Sequence, residues 1–212
     1  MLSRRELLSA VVVITLPAPP KLAPKERIDR ALKGQDVDRP PFSFWYHFGL
    51  HNFPGERHAR ATLDFHRRFR TDLVKVMSDF PYPRPEGNWH ELKVETNPFP
   101  EQIRALEIIR EGLGVEAYFV ETVFNPWNVA EHLSSPEEVL RLKAENPQAL
   151  LDALEVIAKS ESNHAKRAVA AGAAGFLSQL RMHRTESSRR KTTRSSANPS
   201  TRWFFRPFRM RG

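Results

Sequence analysis

Apolar positions between residues 21 and 180 recur in blocks that switch between helical and extended spacing, with turn residues between them. Ile28 and Leu32, four apart, predict a helix over about Lys25 to Lys33, stopped by Gly34. Asp38-Arg39-Pro40-Pro41 then leads into Phe42-Ser43-Phe44-Trp45-Tyr46, the first predicted strand. A second helix, about Arg57 to Arg70, sets Leu63 and Phe69 among arginines and ends before Asp72-Leu73-Val74-Lys75-Val76-Met77, the second strand. A loop rich in Pro, Gly and Trp runs from Pro81 to Asn97. Beyond it Ile103, Leu106 and Ile109 share one face of a helix over about Pro100 to Glu111, with Gly112 and Gly114 as stops. Tyr118 to Phe124 is dense in β-branched and aromatic residues and forms the third predicted strand.

Two helix starts carry their own chemistry. Ser135-Pro136-Glu137-Glu138 has the capping-box spacing with proline at the first helical position, and Asn146-Pro147 opens another helix in a similar way. The latter runs through Leu150, Leu151, Leu154, Ile157 and Val169 to Gly172, and Gly175-Phe176-Leu177-Ser178 begins a fourth strand. This alternation of strand and helix predicts an α/β fold.

Composition narrows the class. The chain has 212 residues, 40% of them hydrophobic and 27% charged, the balance of a globular protein. No apolar run approaches the roughly 20 residues of a membrane span. The absence of cysteine removes disulfides, thiolate metal sites and cysteine nucleophiles together. Although the formal charge is +8, residues 181 to 212 hold nine Arg and one Lys against Glu186 alone, so residues 1 to 180 carry a net −1. The basic character is therefore local.

Both ends depart from the central pattern. In residues 1–20, Arg4-Arg5, an apolar stretch from Ala10 to Leu16 and Pro17-Ala18-Pro19-Pro20 follow the order of a twin-arginine export signal. The other reading is a disordered leader. If the signal is genuine the protein is exported; otherwise it is cytoplasmic. Residues 181–212 form a basic low-complexity tail with the late cluster Trp203-Phe204-Phe205 and no apolar periodicity, so disorder is expected there. Arginines and aromatics of this kind can bind nucleic acid, but the preferred account of the tail is a frameshift, because the pattern stops within a strand rather than at a linker.

Three stretches resemble the N-terminal half of the uroporphyrinogen decarboxylase superfamily, which also contains corrinoid- and thiol-linked methyltransferases. They are Glu26 to Gly34 with Val37-Asp38-Arg39-Pro40-Pro41, then Ser78-Asp79 after the second strand, then Pro126-Trp127 after the third. Ala171-Gly172-Ala173-Ala174-Gly175 resembles the family's approach to its fourth strand. The resemblance covers residues 21–180 and implies a partial (β/α)8 TIM barrel of about four β/α units. A full barrel takes about 250 residues. A half barrel leaves strand edges unpaired, so two copies completing each other as a homodimer are a further expectation.

The resemblance also implies a site at the C-terminal strand ends, for a small-molecule substrate of porphyrinogen type. Asp79 matches the aspartate that, in the decarboxylases, accepts hydrogen bonds from pyrrole N–H groups and stabilises positive charge as carbon dioxide leaves. The plainer alternative is that Asp79 caps a following loop or helix. Trp45, Tyr46, His47, Ser78, Trp127 and His132 are the candidate substrate-binding residues, the tryptophans being equally suited to packing the barrel mouth. Where the decarboxylases carry two substrate-binding arginines this chain has Tyr46 and Leu50, and their tyrosine after Pro-Trp is His132. Neither Tyr46 nor Leu50 supplies a bidentate guanidinium, which argues against the namesake reaction. The leading expectation is thus a domain of carboxy-lyase ancestry, inactive as a half barrel, with the methyltransferase branch as rival. No cofactor is expected. His47, His51, His58 and His66 match no metal-ligand spacing, and the methyltransferases' zinc ligands belong to the second half of their barrel.

Overall fold

A computed structural model describes residues 21–179. The expected export signal and basic tail lie outside them. In chain order the elements are α1 (Pro24–Leu32), α2 (Gly55–Phe69), β1 (Leu73–Val76), α3 (Pro100–Leu113), β2 (Tyr118–Phe124), α4 (Pro126–Leu133), α5 (Pro136–Glu145), α6 (Pro147–Ala170) and β3 (Phe176–Gln179). The strands form a parallel sheet in the order β1-β2-β3, with Val76 opposite Glu121 and Glu121 opposite Phe176. Among the described residues this is an α/β fold with six helices and three parallel strands, the architecture of part of an α/β barrel.

Alternation along the strands sets the two faces. Val74, Val76 and Phe119 pack with Leu63 of α2, Leu106 and Ile109 of α3 and Ala168 of α6 in one buried cluster. The opposite face presents Leu73, Lys75 and Leu177, which line a cavity of about 440 Å³ with Trp45 and Phe42. A second buried cluster joins Phe80, Tyr82 and Phe99 to Val129 and Leu133 of α4, Val139 and Leu142 of α5 and Ile157 of α6. It stands beyond the C-terminal ends of β1 and β2 and forms one wall of the site described below.

The expected first strand is not one. Phe42 to Tyr46 runs beside β1 without entering the sheet. Its first residues are tied to the start of β1 by bonds other than a strand ladder. Pro40 and Pro41 have no N–H, the Phe42 N–H donates to the Asp72 carboxylate (3.0 Å), and the Ser43 hydroxyl donates to the Leu73 carbonyl (2.7 Å). One backbone bond remains, from the Asp72 N–H to the Phe42 carbonyl (2.9 Å). The described residues therefore hold three strands where four β/α units were expected.

Asp38-Arg39-Pro40 has a structural task at the N-terminal end of β1. Arg27 of α1 donates to both oxygens of Asp38 (2.6 and 2.7 Å) and to Asp72 (2.5 Å), while Arg39 donates to Asp72 from the other side (2.5 and 3.0 Å). The Asp72 carboxylate is completely buried. Desolvation works to raise it, but the guanidinium bonds and the Phe42 N–H outweigh that and hold it below the ordinary carboxyl range. Ionic contacts of this kind at the N-terminal face belong to stability rather than catalysis.

The predicted caps form. The Ser135 hydroxyl accepts from the Glu138 N–H (3.1 Å) and the Asn146 side chain from the Ala149 N–H (3.2 Å). α4 is an element the apolar pattern does not signal. Its start is local, with Asn125 accepting from the Asn128 N–H (3.0 Å) and Pro126 in the first turn, so Pro126-Trp127 opens a helix.

Candidate functional site

Asp79 lies three residues past the end of β1, where a parallel sheet presents its ligands. Its Oδ1 meets His47 Nδ1 at 2.5 Å, and its Oδ2 lies 3.6 Å from Nε2 of His58, an ion-pair separation without a hydrogen bond. His58 comes from α2, is fully buried, and has ring contacts with Phe48 and Phe80. Burial works to raise the Asp79 carboxyl, but the two imidazoles prevail and hold it below its ordinary value. Asp79 therefore engages imidazole, and no helix begins near enough for it to cap.

A cavity of about 400 Å³ opens beside this pair, within the usual size of small-molecule sites. Of the residues singled out in the sequence, His47, Ser78, Asp79 and His132 line it. The His132 ring stands edge-on to Phe124, 5.4 Å between centroids. Trp45, Tyr46 and Trp127 are placed elsewhere. Trp45 lines the cavity on the open sheet face, with the Lys75 ammonium 3.9 Å from its ring centroid. Burial there pushes the Lys75 ammonium down to about 8. Tyr46 is exposed and packs edge-on against Phe48. The Trp127 indole donates to Glu131 (2.8 Å), one turn along α4, and packs against the second apolar cluster.

The structure adds wall residues that sequence reasoning missed. Arg84, from the loop before α3, donates to the carbonyls of Leu133 (2.9 Å) and His132 (3.4 Å) at the end of α4 and lines the cavity. Tyr82 and Glu161 also line it, and the Tyr82 hydroxyl and Glu161 Oε1 are buried without hydrogen-bond partners among the described residues. The Ser160 hydroxyl, the polar neighbour of Tyr82, is committed to the Val156 carbonyl and the Glu95 N–H. Behind Glu161 lies a buried network. Gln102 Nε2 donates to both oxygens of Glu121 (2.9 and 3.0 Å), and His164 Nε2 meets Glu121 Oε1 at 3.2 Å. Burial raises the Glu121 carboxyl despite these partners. Burial, with Glu121 as a like-charged neighbour, pushes the Glu161 carboxyl up to about 8.

A readable signal for Glu161 existed. Leu150, Ala153, Ile157, Glu161, His164 and Ala168 follow one another at three- and four-residue spacing, and all are buried on α6. Two ionisable residues continuing a core stripe mark a buried polar site. Tyr82, Arg84 and His58 carry no such pattern, because they come from a loop and an arginine-rich helix.

The cavity thus sets an acid held ionised, Asp79, with an acid held protonated at neutral pH, Glu161. Environments that separate two carboxyl groups in this way assign them opposite proton-handling capacities. Among the described residues, no three His, Asp or Glu side chains converge as metal ligands. Nor is any described helix long and apolar enough to cross a membrane.

Fold and cavity together define an α/β protein with a parallel sheet and a ligand-sized site at the C-terminal ends of its strands. No protein-family profile matches the chain, and no curated protein is similar to it in sequence. Among solved structures it is similar to a methyltransferase from Methanosarcina mazei, at 20% identity and a TM-score of 0.57, over 74% of this chain. The chain covers 58% of the length of that methyltransferase. At this identity the likeness is one of fold.

Proposed function

We propose that the Asp79 cavity is the small-molecule site of an enzyme domain of the uroporphyrinogen decarboxylase superfamily, and that the domain is of methyltransferase type. The motifs Asp38-Arg39-Pro40, Ser78-Asp79 and Pro126-Trp127 support the superfamily, and the methyltransferase neighbour supports the branch. The observation that carries the reading is the cavity's poverty in guanidinium groups. Among the described residues Arg84 is the single arginine in its lining, and Tyr46 and Leu50 stand where the resemblance places the decarboxylases' carboxylate-binding arginines. A polycarboxylated tetrapyrrole needs several such partners, whereas a small substrate needs one. Asp79 is the anchoring carboxylate, with His47 fixing its orientation.

The chain spans little more than half of the methyltransferase it resembles, so ligand binding is a sharper test than turnover. Titration calorimetry of the purified chain against a panel of methylamines and methylated thiols, with uroporphyrin alongside, separates the branches. Binding of a panel member, weakened at least about tenfold in Asp79→Asn, is expected. Uroporphyrin binding that depends on Asp79, with none for the panel, would return the domain to the decarboxylase branch.

A further inference from the structure

The cavity's polar groups fall into two sets of opposite character. One set is Asp79, ionised, with its Oδ2 buried and without a hydrogen bond among the described residues. The other set donates. The Arg84 guanidinium is anchored on backbone carbonyls at the end of α4, and among the described residues it forms no ion pair with a carboxylate. The Tyr82 hydroxyl and the Glu161 carboxyl lie in the same lining, each residue more than nine-tenths buried and each with a polar atom unpaired. Buried polar atoms without partners are expensive, at about 1–3 kcal/mol each, and their gathering on one cavity wall points to a ligand that completes them.

We propose that the cavity takes a small zwitterion, an amino-acid-like molecule whose cationic amine sits on Asp79 and whose carboxylate is received by Arg84, Tyr82 and Glu161. The inference rests on the reading of this cavity as a small-molecule site, and it names the substrate class. Asp79 satisfies an ammonium by its charge and by Oδ2, which stands 3.6 Å from His58 Nε2 without a hydrogen bond. Arg84 supplies the charge for the carboxylate, and the Tyr82 hydroxyl donates to it. Glu161 fits the same end only as a neutral acid, since an ionised one would repel the carboxylate. Burial keeps it neutral, with Glu121 of β2 behind it as a like-charged neighbour. His164, one turn further along α6, is committed to Glu121. Arg84 also explains how a chain without arginines at 46 and 50 can still hold one carboxylate, though not the many of a porphyrinogen.

The test uses the full chain and a ligand series: the ω-amino acids from glycine to 6-aminohexanoate, each beside the matched alkylamine and alkanoate, with affinities from saturation-transfer NMR and calorimetry. One ω-amino acid is expected to bind at least about tenfold more tightly than either of its halves. Arg84→Gln and Tyr82→Phe should weaken that amino acid and the alkanoate by about five- to tenfold while leaving the alkylamine unchanged. Asp79→Asn should weaken the amino acid and the alkylamine while leaving the alkanoate unchanged. Arg84 is exposed and Tyr82→Phe keeps the ring, so both variants preserve the packing. An alkylamine or alkanoate that binds as tightly as the zwitterion overturns the proposal, as do variants that weaken all three classes alike. Asp79-dependent binding of a methylamine with no binding of any amino acid overturns the zwitterion alone and leaves the small-molecule reading standing. Uroporphyrin displacing every member overturns both.

Discussion

Glu161→Gln replaces a buried acid by a neutral amide of the same shape, and its effect should depend steeply on pH. In the folded chain the Glu161 carboxyl is pushed up to about 8 from an ordinary value of 4.5, through burial and the nearby Glu121. Between those values the folded state keeps the proton and the unfolded state releases it. The acid's contribution is therefore fully present below pH 4.5 and is lost as pH rises through 8. Each pH unit in that window weakens folding by up to about 1.4 kcal/mol, giving a loss of about 3 kcal/mol by pH 7 and about 5 kcal/mol, as an upper bound, by pH 9. The substituted amide has no proton to lose. Urea unfolding followed by far-UV circular dichroism at half-unit steps from pH 4.5 to 9 should give nearly coincident stabilities at the acid end. The variant should then be the more stable by a widening margin of several kcal/mol toward pH 9. Glu121 is raised in the same direction but is present in both proteins, so most of its effect cancels in the difference. Asp72 and Asp79 are depressed, and their stabilisation is lost as pH falls below the ordinary carboxyl value, outside this window. Parallel stability curves across the whole range would refute the placement of a protonated Glu161 in the wall.

Other substitutions probe the scaffold. Asp72→Asn leaves Arg27 and Arg39 without their shared carboxylate at a fully buried position and should destabilise the chain by about 3–5 kcal/mol in urea melts, with no change in ligand affinity for whatever remains folded. At Gly55 a Cβ would stand 2.1 Å from the Glu101 carbonyl oxygen, so Gly55→Ala must separate the starts of α2 and α3 and should lower stability by about 1–3 kcal/mol. Loss of the Glu101 bond to the Gly55 N–H (2.7 Å) should show as faster amide exchange there. Trp45→Ala, away from the Asp79 cavity, should alter melting while leaving its ligand affinities within about twofold.

The chain's own pattern determined much of the architecture. Tyr118–Phe124 is a strand over its whole expected length because β-branched and aromatic residues suit a sheet covered by helices. The starts of α5 and α6 were legible because a cap is a contact between residues three apart. Asp79 was legible as a residue just past a strand's C-terminal end, and there it lines the cavity. The tertiary structure decided the rest. Whether Phe42–Tyr46 joins the sheet depends on contacts made thirty residues on, where the Asp72 carboxylate takes the Phe42 N–H and the Leu73 carbonyl takes the Ser43 hydroxyl. Trp45, Tyr46 and Asp79 all lie near predicted strand ends, yet sheet alternation and the detached segment put the first two away from the cavity. Conversely, Tyr82, Arg84, His58 and Glu161 come together around Asp79 from three separate stretches of chain, and no local spacing announces such a meeting. The proton on Glu161 belongs to the same category, because its acidity is set by burial and by Glu121 on β2, forty residues earlier in the chain.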